Sequence, residues 1–204
     1  PCISSQRSIV LCRVITRNQK KRLWKKPIMS LDKEILWMQR ALDLAIMGSG
    51  FVAPNPLVGC VIVKDERIIG EGYHQNYGEA HAEVNAVNSL VNPLDIIGAT
   101  VYVNLEPCSH HGKTPPCAEL LIKSKVKRVI ICNMDPNPIV AGEGIAKLKA
   151  AGIEVEVGLL AEKGEELNRK FFYFQREQKP YITLKFACSQ DHFIAKVNGE
   201  PISF

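Results

Sequence analysis

Apolar residues Ile35, Leu36, Met38, Ala41, Leu42, Leu44, Ala45 and Ile46 recur at helical spacing, which predicts an amphipathic helix over residues 32–47. Ser30 or Asp32 is placed to cap its start, and Gly48-Ser49-Gly50 to end it. Pro54-Asn55-Pro56 then reads as a rigid loop, because each proline fixes its own φ and biases the preceding residue away from helix. The continuous run from Val58 to Val63 predicts a buried strand, Lys64-Asp65-Glu66 a turn, and residues 67–73 a second strand, together a hairpin. Helical spacing returns over residues 81–90, and 100–105 is a short β-rich run.

The second half alternates more plainly. A short helix over 118–123 precedes a buried strand over 128–132; a helix over 144–151, ended by Gly152, precedes a strand over 153–157. A last helix is expected over 162–176, with Leu167, Phe171, Phe172 and Phe174 as its apolar members. Strands alternating with helices predict an α/β fold, a three-layer α/β/α sandwich around a mixed central sheet. After Lys179-Pro180 the run over 181–187 predicts a new strand, read as the truncated start of a further domain at 177–204.

Composition changes this picture in two places. The net charge is +5, yet residues 1–28 hold eight basic residues and no acidic one, leaving 18 basic against 21 acidic in the rest. The basic balance thus belongs to a tail, which reads as an upstream extension, a targeting segment or a basic arm; nucleic acid is not an expected partner of the fold. The expected location is cytoplasmic, or organellar if 1–28 is a transit segment. No apolar run is long enough for a membrane span, and oligomerisation is left open. Seven cysteines, an odd and scattered set, do not make a disulfide framework and read mostly as buried free thiols.

Cys108 and Cys117 stand apart from the other five. His81-Ala82-Glu83 is followed, 24 residues after the glutamate, by Pro107-Cys108 and then by Cys117. One imidazole and two thiolates make a three-ligand zinc site with a fourth position left for water, the pattern of catalytic rather than structural zinc. Glu83, close to a ligand without needing to be one, is placed to move a proton between that water and a departing amine. The order H-x-E then P-C-x-x-C is a signature of zinc nucleobase deaminases. Eight residues separate the cysteines here rather than two, so a loop must return Cys117 to the start of the next helix. Pro115 and Pro116 suit that return, and a helix N-terminus would favour the Cys117 thiolate.

Several segments together resemble the pyrimidine deaminase of riboflavin biosynthesis. These are the run from His81 to Ala86, the run from Leu105 to Cys117 with its Gly-Lys-Thr-Pro-Pro, Asp135-Pro136-Asn137-Pro138, the run from Pro54 to Gly59, and Val140-Ala141-Gly142. The resemblance covers roughly residues 31–190 and implies a cytidine deaminase-like fold, a deaminase domain over 29–176 and zinc as cofactor. It implies a substrate, a 2,5-diamino-6-(phosphoribosylamino)pyrimidin-4-one converted to the corresponding uracil. It also implies that Lys113 and His110 meet the ribose phosphate, and that Asn55, Asp135 and Asn137 meet the ring or ribose. Glu106, just before the ligand, reads equally well as a structural acceptor. The family often continues into a reductase, whose opening strand residues 180–189 resemble; Asp191-His192 replaces its Asp-Gly, and reductase activity is not expected. Two other readings stand beside this one: a zinc deaminase of another base or nucleoside, and a zinc-stabilised remnant without activity.

Overall fold

The computed structural model describes residues 28–110, 115–137 and 141–188, so the basic extension lies almost wholly outside the described residues. Helix α1 (Ile28–Ile46) begins earlier than the capping residues suggest, which places Asp32 inside the helix. Met38, Ala41, Leu42, Leu44 and Ala45 are buried, while Leu36 and Ile46 are exposed. A period of 3.6 residues cannot bring all eight apolar positions to one face.

Strands β1 (Gly59–Lys64) and β2 (Arg67–Tyr73) form the expected antiparallel hairpin. Its turn residues Asp65 and Glu66 both have positive φ, as a two-residue turn of type I′ requires. β1 also pairs antiparallel with β3 (Thr100–Leu105), which runs parallel to β4 (Arg128–Asn133); β4 in turn runs parallel to β5 (Glu154–Val157). The order β2-β1-β3-β4-β5 makes the mixed sheet that the alternating pattern predicts.

Side chains alternate across this sheet, and each face has its own core. On one face Cys60, Ile62, Val101, Val103, Val129 and Ile131 meet helices α2 (Ala82–Asn88), α3 (Cys117–Lys123) and α4 (Glu143–Ala150) through Ala82, Ala86, Leu121 and Leu148. On the other, Val61, Val63, Tyr102 and Ile130 meet Met38, Ala41 and Leu42 of α1, with Leu167 of α5 (Ala161–Leu167) packed alongside. The expected three-layer sandwich is therefore the fold found.

Two expectations fail. The single helix over 162–176 is two, α5 and α6 (Arg169–Glu177), broken at Asn168. The buried Asn168 carboxamide binds the main chain of Leu57, accepting from its N–H and donating to its C=O, both at 2.8 Å, and the turn serves that contact. The strand over 181–187 does not form: Ile182, Leu184 and Phe186 are 83%, 81% and 69% exposed. Apolar alternation alone does not make a strand without pairing to a neighbour.

Strand directions bring the loops of interest together. β3 and β4 are parallel, so both end at one edge of the sheet; β1, antiparallel to β3, starts there, and β2 ends there. The Asn55 loop, the beginning of α2, the Cys108 loop and the segment after β4 all converge on that edge.

Candidate active site

α2 lies hard against β2. A Cβ on Gly72 would come within 2.4 Å of the Ala86 N, so glycine is what allows the helix to approach. This seats His81 as the residue capping α2 and Glu83 in its first turn, with Glu83 only 3% exposed. β3 delivers Cys108, and α3 opens at Cys117 as the sequence predicts.

The Nδ1 of His81 lies 3.5 Å from the Cys108 Sγ and 3.3 Å from the Cys117 Sγ. Bond lengths of about 2.3 Å to sulfur and about 2.0 Å to nitrogen in a tetrahedral zinc site put such donors roughly 3.5 Å apart. All three donor atoms lie within 4.8 Å of one another, and one imidazole with two thiols is a zinc donor set; the residues fit the ion.

The electrostatics of the cluster centre on Cys108. The N–H of Cys117, at the start of α3, donates to the Cys108 Sγ at 3.3 Å, so the helix end favours ionisation of Cys108. The Cys117 thiol, that N–H and His81 together bring Cys108 down to about 4. Cys117 itself is pushed up, first by donating to Cys108 and then by burial. His81 is raised by its bond to Cys108, and Glu83 is raised to about 7 by burial and then by the Cys108 charge. The other described cysteines are unpaired thiols; burial raises Cys60 well above its ordinary value and Cys132 to about 11.

A cavity of about 280 Å³ opens in front of His81, Glu83 and Cys108, and Asn55, His110, Asp135 and Asn137 all line it. Six of the seven expected ligands and contacts outside α3 thus share one pocket with Glu83. Lys113 lies outside the described residues. Asn55 is half-buried with its Nδ2 3.1 Å from the Nε2 of His74; the Nδ1 of His74 is 3.0 Å from the Ala80 carbonyl. A carbonyl only accepts, so Nδ1 carries the proton and Nε2 accepts from Asn55. Asp135 is raised by burial, and its Oδ1 accepts from the Asn137 N–H at 2.9 Å. Glu106 is buried, with its carboxylate taken up by main-chain N–H groups, as a structural acceptor would be.

Three lining residues escaped the sequence reading: His74, Phe171 and Gln175. A lone histidine after a strand carries no spacing signal, and Phe171 was read as helix core. His74 reaches the cavity from the end of β2, and Phe171 and Gln175 reach it from α6, placements not visible in the chain.

Residues 31–133 match the family described as the cytidine and deoxycytidylate deaminase zinc-binding region. The riboflavin biosynthesis protein RibD of Bacillus amyloliquefaciens is 54% identical over 167 residues, 82% of this chain and 44% of that protein. The diaminohydroxyphosphoribosylamino-pyrimidine deaminase of Buchnera aphidicola subsp. Schizaphis graminum is 45% identical over 148 residues, 72% of this chain and 99% of that protein. RibD of Acinetobacter baumannii (form 2) superposes with a TM-score of 0.83 at 47% identity, covering 86% of this chain and 49% of that one. The chain spans less than half the length of the RibD protein from Bacillus, at 44%. With its fold, its donor cluster and these likenesses, the chain belongs to the cytidine and deoxycytidylate deaminase zinc-binding family.

Proposed function

We propose that the chain catalyses hydrolytic deamination of a small phosphoribosylated diaminopyrimidine, converting the ring amine to a carbonyl with release of ammonia. The observation that carries this reading is the meeting, in one cavity, of a three-donor zinc cluster, a buried carboxylate that is not a ligand, and a ring of polar side chains. Zinc held by His81, Cys108 and Cys117 supplies Lewis acidity that brings the ionisation of water near neutrality. Glu83 takes the proton from the attacking water and delivers it to the departing amine, so one water is consumed for each ammonia released.

The likeness to the Buchnera deaminase, which this chain covers almost entirely, supports the substrate class. Asn55, held by His74, offers its carboxamide to the ring or ribose; Asp135 and Asn137, after the end of a parallel strand, stand where open α/β sheets place ligand contacts. His110 and Lys113 meet the phosphate from the loop between the cysteines. Residues 29–176 make up the deaminase unit in this reading.

The test is Glu83→Gln. Turnover should fall roughly 10²–10⁴-fold, the usual contribution of a general acid–base group, while the metal analysis still finds one zinc per chain. Retained turnover would remove Glu83 from the chemistry.

A further inference from the structure

Glu106 is a buried carboxylate two residues before Cys108, and both of its oxygens are aimed at main chain. Oε2 accepts from the N–H of Asp135 at 3.2 Å and of Gly142 at 3.0 Å. Oε1 accepts from the N–H of Gly144 at 3.0 Å and of Ile145 at 3.2 Å. Asp135 and Gly142 stand at the two ends of the segment that joins β4 to α4, and Gly144 and Ile145 lie in the first turn of α4. Gly142, the residue capping α4, has no side chain to offer, so the helix's first N–H groups have no local acceptor. Glu106 supplies that acceptor from another strand. Beside it, the Pro107 carbonyl is pressed onto α4: a Cβ on Gly144 would lie 2.0 Å from the Pro107 O. The main chain of Glu106 is also tied to β4, its N–H donating to the Asn133 carbonyl at 3.0 Å.

We propose that Glu106 is a positioning residue: it clamps both ends of the β4–α4 segment to the strand end that carries Cys108, and so sets Asp135 and Asn137 in the wall of the cavity that His81 and Cys108 also line. A neutral amide cannot replace it. Glutamine has one acceptor oxygen for donors that occupy two, and its NH₂ would face two N–H groups. The kinetic part of this inference rests on the deaminase reading above; the placement of the segment does not.

Native-state hydrogen exchange on the full chain comes first. The Asp135 and Gly142 amides, bonded to a side chain on another strand, should exchange as slowly as the amides inside α4. In Glu106→Gln, exchange at residues 135, 142, 144 and 145 should quicken at least about tenfold, with β1 and β3 and the zinc content unchanged. KM for the diaminopyrimidine ribonucleotide should rise roughly tenfold to a hundredfold, with kcat changed less than about threefold. Asp135→Ala should cost less in the Glu106→Gln background than in the parent, because the two residues act through one segment. Fast exchange at Asp135 and Gly142 in the unmodified protein overturns the proposal, and that arm stands even if the variant does not fold. A variant that loosens the whole sheet equally, or leaves KM unchanged, also overturns it. If the unmodified zinc-loaded chain turns over no substrate while both amides are protected, the deaminase reading fails and the clamp stands.

Discussion

Cys108 and Cys117, separated by eight residues in the chain, both come within 3.5 Å of the His81 Nδ1. Cys108 collects the Cys117 thiol, the first N–H of α3 and the His81 imidazole, all of which favour its thiolate. Residues of this kind were legible in the sequence because their chemistry is rare and their order fixed: His81, Glu83, Cys108 and Cys117 announce a metal and a proton carrier before any fold is known. Asn55, His110, Asp135 and Asn137 were reached only through the resemblance, since each alone reads as a turn residue. His74 and Gln175 were not legible at all, because their relevance comes from where β2 ends and where α6 is packed, which no local spacing records. Lys113 belongs to the same inter-cysteine loop as His110 and carries the positive charge that a ribose phosphate requires. Lys113→Ala should raise KM by roughly tenfold to a hundredfold with little change in kcat, measured by steady-state ammonia release. An unchanged KM would take the phosphate away from it.

At the level of elements, the site depends on loops that are held from outside themselves. The main chain of Leu57 is gripped by Asn104 of β3 and by Asn168 at the break between α5 and α6. This grip fixes the Asn55 loop at the sheet edge. The helix period over 162–176 was readable, but the break was not, because its cause is a residue 111 positions away. In Asn168→Ala the Leu57 N–H loses its acceptor, whereas the Leu57 carbonyl keeps Asn104. The cost of one buried unsatisfied donor is about 1–3 kcal/mol. A calorimetric scan should therefore show Tm lower by roughly 2–10 °C; an unaltered Tm would mean that the turn is set by its own backbone. The run over 181–187 teaches the converse: alternation was present, but β-structure needs a partner strand that local sequence cannot supply.

Over the whole molecule, one mixed sheet does the assembling. Two parallel strands and an antiparallel hairpin bring four separate stretches to a single edge, with a core on each face to keep that edge rigid. The layer order followed from the alternation of strands and helices; the convergence did not, since it depends on β1 pairing with β3 rather than with β4. Among the described residues no helix is long and apolar enough to cross a membrane. The most direct measurement is ammonia release by the full chain loaded with one equivalent of zinc, using the diaminopyrimidine ribonucleotide, cytidine and adenosine in parallel. The account predicts release from the ribonucleotide alone. No release from it by zinc-loaded protein, or release from cytidine or adenosine in its place, would contradict the account.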